Sequence, residues 1–403
     1  MQTMEVFDTS SRPIRRQSNL EVIWVLSAFA LLLLFTYPIA ALAYSAFLLI
    51  NLPSYTPARS RRVLAVVLFV ATSMIMSLRL YGGESDDLAS YYGVYQSIRE
   101  GNTDALFVFA GGIEIGLPVV FYICTKLLPE LTPNGLMLVC TLTSSTIFFF
   151  WVESTFYSRT GRNGGPLLMG VALMMLNIAY STQVVRQFIS LAILLYALSA
   201  SSLTRRLVFL AVAASFHITA IPFFVAYWLG RRGVVGLIVI VTLTLAVRLY
   251  FSQLLAILDV LPPILADKLA YWVDNNAEYT TADLGSLKLL IQLCLISLAA
   301  FVWGGFYIAP EARRWHMIPW VTTLVHVSLL SIPLASLRTT LMVHSVATGI
   351  VAHKMIHPKH RLFILVLFNA LLFYKLLGYA SIDGAPAQTS SLEVILGALQ
   401  RAS

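Results

Sequence analysis

Long apolar runs separated by short polar stretches dominate the chain. Most runs span about 17 to 23 residues, the length that a helix needs to cross the hydrocarbon core of a bilayer. They are continuous rather than alternating, which predicts helices, because only helices and closed barrels satisfy their backbone in lipid. The predicted helices are 20–35, 38–51, 63–80, 135–157, 166–182, 187–203, 234–250, 287–308, 317–335, 339–356 and 362–379.

Two stretches fit this pattern less well. Residues 115–128 contain Pro118 and are short for a crossing, which predicts a re-entrant or interfacial helix. Residues 207–229 lie between two basic clusters, so they cross twice or not at all. A re-entrant pair turning near His217 satisfies this, provided that protein or water covers its non-helical backbone. The predicted fold is all-α and polytopic, a single membrane domain over 1–403 with about eleven transmembrane helices.

Charge orients these helices. Most of the 27 lysines and arginines fall in short clusters between apolar runs, and more than half of the 19 acidic residues lie in 79–116 and 251–285. The positive-inside rule therefore predicts cytoplasmic basic clusters, a cytoplasmic N-terminus and two outer loops, 81–114 and 251–285. The tail 380–403 is predicted to be outside as well. The net charge of +8 does not predict nucleic-acid binding, because these clusters follow the pattern of cytoplasmic loops.

The N-terminus resembles a secretory signal, since Arg12, Arg15 and Arg16 precede the first apolar run. The chain stays apolar through Ile50, however, which favours an uncleaved first helix. Chain composition agrees with a membrane protein, because 58% of the residues are hydrophobic and 11% are charged.

Four arginines break the positive-inside trend. Arg79, Arg186, Arg248 and Arg338 all fall at predicted outer ends of helices. A guanidinium stays charged when it is partly desolvated and contacts phosphate oxygens in a bidentate manner. The group of four predicts a site for a lipid pyrophosphate headgroup at the outer face. The alternative is that these side chains snorkel to the interface or pair with the loop carboxylates.

Acidic and aromatic side chains in the outer loops offer further chemistry. Asp86, Asp87 and Glu114 are candidates for a base that accepts the proton of an attacking hydroxyl. His217 either is a structural donor or contacts substrate or a catalytic carboxylate. Aromatic faces that could contact sugar rings are those of Tyr91, Tyr92, Tyr95, Trp272 and Tyr279. The alternative is an acidic, solvated loop with interfacial aromatics. Histidine spacing predicts no metal site, and no cofactor is predicted.

Several short motifs occur in a fixed order along the chain. The first combines Arg79, Gly82-Gly83, Asp86 or Asp87, Tyr91 and Tyr95. The later ones are Glu114 with Gly116, then Arg186 with Gln187, Ser190 and Ala192, then Ala214 with Phe216 and His217, and finally Arg338. In the second acidic loop, Lys268 is followed by Tyr271 and Trp272, which partly matches a further motif of the Lys-x-x-x-Tyr type.

This order resembles the EpsG/Wzy-type family of bacterial polysaccharide polymerases over about residues 75 to 345. The resemblance implies a GT-C-like membrane fold and action at the periplasmic face of the bacterial inner membrane. Such enzymes transfer a growing glycan from undecaprenyl pyrophosphate to a new lipid-linked repeat unit, in O-antigen, capsule or exopolysaccharide synthesis. By resemblance, Lys268 joins the arginines that contact pyrophosphate, and the partners are a flippase and a chain-length regulator.

Two alternative functions remain at this point. One is a lipid-linked glycan ligase, which would share the arginines but join the glycan to another acceptor, or a membrane acyltransferase, which would place its key histidine and arginine near the cytoplasmic side. A flippase or transporter of lipid-linked sugars would place its basic residues in the middle of helices. The boundary positions of Arg186 and Arg338 disfavour that last alternative.

Overall fold

The protein is described by a computed structural model over residues 12–78, 87–157, 165–176, 182, 184–250, 310–329, 338, 346–347, 349–350, 361–380 and 390–399. Within these ranges the chain is helical and contains no β-strand. The first seven helices are α1 Arg12–Thr36, α2 Pro38–Asn51, α3 Ala58–Ser77, α4 Asp87–Arg99, α5 Gly116–Leu127, α6 Pro133–Val152 and α7 Pro166–Met175. The others described are α8 Val185–Ser199, α9 Leu203–Phe216, α10 Ala220–Gly230, α11 Val234–Leu249, α12 Pro310–Ser328, α13 Arg361–Ala380 and α14 Ser391–Leu399. The predicted all-α class is confirmed for these residues.

Local chemistry sets several helix ends that hydropathy misplaced. Helix α3 begins directly after Pro57, so the Arg59–Arg62 cluster lies inside the helix and not before it. The predicted helix 187–203 is wrong at its end, because α8 stops at Ser199. There Ser202 caps the next helix by accepting a hydrogen bond from the backbone N–H of Arg205 at 3.3 Å. Apolar character continues across this boundary, so hydropathy alone could not locate it.

The core lies where α2, α3, α6, α7 and α8 pack together. Its largest fully buried side chains include Leu49, Leu64, Phe148, Trp151 and Phe188. Helix α6 contacts both α3 and α8, so it connects the first half of this core to the second. Helices α9 and α10 pack on α8, and α11 packs on α10 and α12.

Two stretches in the described ranges, Ala58–Ser77 and Pro133–Tyr157, are long and apolar enough to cross a membrane. The other apolar helical stretches found there, such as Leu20–Thr36 and Leu365–Gly378, are 10 to 17 residues long. Helices at the periphery of the bundle expose large apolar side chains. Examples are Phe35, Val234 and Leu362, whose exposed fractions are 77%, 72% and 77%. Exposure of many large apolar side chains is typical of a protein that faces lipid.

The acidic segment predicted as an outer loop contains helix α4. Leu88, Tyr91, Tyr95 and Ile98 recur at helical spacing and form its buried face. Two of its tyrosines hold the chain before α6. The backbone N–H of Leu131 donates to the Tyr95 hydroxyl at 3.2 Å, and the Tyr92 hydroxyl donates to the Leu131 carbonyl at 3.3 Å. Helix α4 is therefore fixed to the N-terminal end of α6.

The two stretches that did not fit the pattern of transmembrane helices, 115–128 and 207–229, form short helices. Helix α5 has 12 residues, and α9 and α10 have 14 and 11. His217 is the extended residue that separates α9 from α10. The re-entrant placement of 207–229 in a membrane stays a prediction. The second acidic loop 251–285 and the predicted helix 287–308 lie outside the described residues, as does most of 339–356.

Candidate functional site

A tight turn between α4 and α5 places two side chains together. Ala110, Gly111 and Gly112 have φ values of 49°, 59° and 89°, a left-handed run that glycine adopts without a steric cost. The backbone N–H of Glu114 donates to the Phe109 carbonyl at 3.3 Å and closes the turn. Phe109 and Glu114 thus lie side by side although four residues separate them. Both side chains contact the same arginine.

That arginine is Arg186, in the first turn of α8. Its Nη1 donates to Oε2 of Glu114, and its guanidinium carbon lies 4.1 Å from the centre of the Phe109 ring. A guanidinium stacked on an aromatic face and paired with a carboxylate is held in one orientation. Among the described residues, no atom accepts a hydrogen bond from its buried Nε. The Arg186 side chain is 20% exposed and held in place, yet its Nε–H donor has no acceptor among the described residues.

The second oxygen of Glu114 reaches the turn between α9 and α10. Oε1 accepts a hydrogen bond from the backbone N–H of Ile218 at 3.0 Å and lies 3.3 Å from His217 Nδ1. On the other side of the turn, the Ser190 hydroxyl donates to the Ala213 carbonyl at 2.8 Å. Glu114 is fully buried and His217 is 3% exposed. The carboxylate thus connects α8 to the α9–α10 turn.

Helix α4 borders this cluster through Tyr91, a buried residue. Burial raises the pKa of the Tyr91 phenol, and Asp87 adds to the rise, while the charges of Arg186 and Arg338 oppose it. The phenol is therefore neutral at ordinary pH and can donate a hydrogen bond. Asp87, at the N-terminus of α4, is exposed and acts electrostatically on both Tyr91 and Arg186.

Arg338 joins from the distant C-terminal half. Its backbone carbonyl accepts a hydrogen bond from Gln187 Nε2 at 2.9 Å. The structure therefore brings together six predicted residues from separate parts of the sequence, namely Asp87, Tyr91, Glu114, Arg186, His217 and Arg338. Their chemical roles stay predictions.

The other predicted site residues are not part of this description. Arg79, Asp86, Lys268, Trp272 and Tyr279 lie outside the described residues, as does the side chain of Arg248. Tyr95 is fully buried and Tyr92 is partly buried, and both bind the backbone of Leu131. Their observed contacts fix α4 in place, and a contact of either with glycan stays a prediction.

Sequence reasoning missed two participants of this site and, separately, one lysine contact. Phe109 stacks on Arg186, but nothing in the sequence separates it from the other phenylalanines of this chain. The N–H of Ile218 is a backbone group and has no side-chain signature. Lys375 in α13 donates to the Met174 carbonyl in the last turn of α7, where helix carbonyls lack internal partners. A charge within the apolar run 362–379 was the signal for Lys375.

A second buried ion pair lies at the C-terminal end of α6. Glu153 accepts hydrogen bonds from Arg61 at 2.8 Å and from Arg62 at 3.1 Å. The guanidinium of Arg61 also stacks 3.5 Å from the centre of the Tyr157 ring. Both Arg61 and Glu153 are 9% exposed at the side chain. This cluster has the same chemistry as the Arg186 cluster but contains none of the residues predicted to contact substrate.

The fold and the cluster define a helical, membrane-type protein with a buried arginine–carboxylate–histidine site. The chain belongs to the EpsG family, whose model matches residues 62–386. All six residues of the site lie within that match. Membership indicates a polysaccharide-polymerase type of function, and hence a glycosyltransferase. No curated protein and no solved structure matches the chain.

Proposed function

We propose that this protein polymerises undecaprenyl-pyrophosphate-linked oligosaccharide repeat units at the periplasmic face of the bacterial inner membrane. The product is the glycan of an O-antigen, capsule or exopolysaccharide. Membership of the EpsG family supports the polymerase type. The apolar exposed helices and the charge asymmetry support a multi-pass protein of about eleven transmembrane helices with a cytoplasmic N-terminus.

The observation that best supports a pyrophosphate-linked substrate is the set of contacts that Arg186 makes. Its guanidinium is fixed by Glu114 and Phe109, and its Nε finds no acceptor within the described part of the chain. It also lies at the N-terminus of α8, whose N-cap Val184 supplies no side-chain acceptor to the first backbone N–H groups. A helix N-terminus and a pre-oriented guanidinium both favour a phosphate oxygen. A pyrophosphate satisfies both.

The reaction forms one bond and breaks one. The acceptor hydroxyl oxygen attacks the anomeric carbon that links the growing glycan to its lipid pyrophosphate. The bond from that carbon to the phosphate oxygen breaks, and undecaprenyl pyrophosphate leaves with the electron pair. Arg186, with Arg338, Arg79, Arg248 and Lys268 as proposed partners, stabilises this developing charge. The hydroxyl proton passes to a carboxylate, for which Asp86, Asp87 and Glu114 were the candidates.

Acceptor binding falls to the remaining predicted residues. Tyr91, next to Arg186 and able to donate through its neutral phenol, is the first of these. Trp272 and Tyr279 are proposed to contribute ring faces from the second acidic segment. A flippase that delivers the lipid-linked unit and a chain-length regulator are the proposed partners in the same membrane.

The length distribution of cell-surface polysaccharide tests this function. A strain without the gene should carry single repeat units in place of long chains. The wild-type gene should restore length, and Arg186→Ala should not. Arg205→Ala, at an exposed position of α9, is the matched control and should restore length. Long chains in the deletion strain would rule out a polymerase. Complete loss of surface units would favour a flippase, and long chains detached from their final acceptor would favour a ligase.

A further inference from the structure

Glu114 offers both of its carboxylate oxygens to hydrogen-bond donors that belong to the protein. Oε2 receives Nη1 of Arg186, and Oε1 receives the backbone N–H of Ile218 at 3.0 Å. The side chain has no exposed surface. Carboxylate oxygens are hydrogen-bond acceptors, so each of them already has a donor from the protein.

Access to substrate is the requirement that Glu114 does not meet as a base. A base must reach the acceptor hydroxyl, directly or through one water. Glu114 has no exposed surface, and its oxygens lie against Arg186, Ile218 and His217. It therefore cannot contact an acceptor hydroxyl in this conformation.

The same carboxylate compensates an unfavourable position of Arg186. The first turn of a helix carries the positive end of the helix dipole, which disfavours a cation. Arg186 occupies that turn in α8 and is only 20% exposed. Within the described part of the chain, the charged and titratable groups around Glu114 are Arg186 itself, His217 from the α9–α10 turn and, beyond Arg186, Tyr91 and Asp87 of α4 with Arg338. Glu114 is the acidic member of this group that contacts the guanidinium directly.

We infer that Glu114 is a positioning residue, which orients Arg186 toward the pyrophosphate and connects that arginine to the His217–Ile218 turn. This inference rests on the proposed function. It removes Glu114 from the candidates for the base. Asp87, which is exposed and acts electrostatically on Tyr91 and Arg186, is then the described carboxylate placed to accept the proton.

A double-mutant cycle on purified protein in nanodiscs tests the inference. The variants are Glu114→Gln, Arg186→Gln and the double substitution, with kcat, KM for the lipid-linked repeat unit and the pH–rate profile measured for each. Glutamine replaces one acceptor oxygen by a donor, so it can serve Arg186 or Ile218 but not both. If Glu114 acts through Arg186, Glu114→Gln lowers kcat/KM by about 10-fold or more, and it adds almost nothing in the Arg186→Gln background. The acidic limb of the pH–rate profile persists.

Glu153→Gln is the matched control, because Glu153 is also buried and accepts hydrogen bonds from two arginines. It should leave kcat/KM and the pH–rate profile unchanged. Three results would overturn the inference. One is a Glu114→Gln enzyme whose pH–rate profile has no acidic limb, as expected of a lost base. Another is a double variant in which the fold-losses of activity caused by Glu114→Gln and Arg186→Gln multiply, as they do for independent residues. The third is an equal kinetic effect of Glu153→Gln, which would reflect lost stability alone.

The folded state of each variant is checked by monodispersity and thermal unfolding. If Glu114→Gln does not fold, Glu114→Asp replaces it in the cycle, since it keeps the charge but shortens the reach. A wild-type protein that forms no polymer from lipid-linked units would reject the proposed function itself. If the wild-type protein forms polymer but the effects of Glu114→Gln and Arg186→Gln are additive in free energy, only the role of Glu114 is rejected.

Discussion

The ring of Phe216 lies directly against the backbone of Gly116. A Cβ built on Gly116 would be 2.6 Å from Cδ2 of Phe216, closer than a side chain tolerates. Gly116 begins α5 two residues after Glu114, and Phe216 ends α9 just before His217. The close approach of these two residues therefore fixes the distance at which Glu114 meets the α9–α10 turn.

Substitution of Gly116 by alanine should damage the site through packing. The added methyl group forces α5 and α9 apart, and overpacking of this kind costs about 1 to 3 kcal/mol. A displacement of Glu114 by even a fraction of an ångström would misplace Arg186, so we expect kcat/KM to fall by about 10- to 100-fold. Gly93→Ala is the control, because nothing lies within 4 Å of its Cβ position. Equal activity of the two variants would contradict the packing argument.

Lysine in place of Arg186 should fail although it keeps the charge. A lysine ammonium cannot both pair with Glu114 and stack on Phe109 with a second donor directed at phosphate, because it lacks the planar fork. We expect Arg186→Lys to lower kcat/KM by about 10-fold or more and to remain close to Arg186→Ala. Steady-state kinetics with lipid-linked units provide the measurement. A fully active Arg186→Lys would mean that charge alone is needed.

The Arg61–Glu153 pair should matter for stability and not for activity. Arg61→Ala removes the buried, ring-stacked partner of Glu153, and breaking a buried pair costs about 3 to 5 kcal/mol. Arg62→Ala removes a side chain that is 57% exposed, so its cost should stay below about 1 kcal/mol. Thermal unfolding in detergent should show a large decrease in midpoint for the first variant and a small one for the second. A change in KM for either would assign this cluster a functional role.

Helix α14 should detach when Gly135 acquires a side chain. The Ala398 carbonyl oxygen lies 2.3 Å from the Cβ position of Gly135, and Thr132 donates from its backbone N–H to the same oxygen at 3.2 Å. Gly135→Ala must displace that carbonyl, so hydrogen exchange of 391–399 should accelerate. Gly397→Ala, with nothing within 4 Å, should leave the exchange unchanged or slower. Similar exchange in both variants would show that this contact does not hold the helix.

Labelling of single cysteines tests the proposed orientation. With the native cysteines replaced, Ser90→Cys in α4 should react with a membrane-impermeant maleimide added to cells whose outer membrane is permeabilised. Ser201→Cys, between α8 and α9, should react only after lysis, because it adjoins a basic cluster predicted to be cytoplasmic. Both positions are exposed, so accessibility does not limit either reaction. The reverse pattern would invert the topology.

Much of the helical framework was predictable from the sequence. Helices α2, α11 and α13 begin and end within one residue of their predicted limits, because continuous apolar runs end there at polar residues or proline. The limits of α3 and α8 were not predictable from hydropathy. Pro57 and Ser202 set them, and capping is a local effect that an average over apolar residues does not contain.

The candidate residues of the site were likewise visible in the sequence as types. An arginine, a carboxylate or a histidine in an apolar chain is unfavourable enough to predict a role. Their partners were not visible. Glu114 and Arg186 are 72 positions apart, and the Phe109 ring and the Ile218 N–H carry no sequence signal.

The sequence by itself therefore determined the helical class, most helix positions and the set of polar residues available for chemistry. Only the tertiary structure decided which of those residues meet and what each can do. It buried Glu114 between two donors, which makes it an anchor for Arg186, and left Asp87 exposed beside them. The physical reason is that a carboxylate acts as an acceptor or as a base according to its neighbours and its access to substrate. Both are fixed by contacts between segments far apart in the chain.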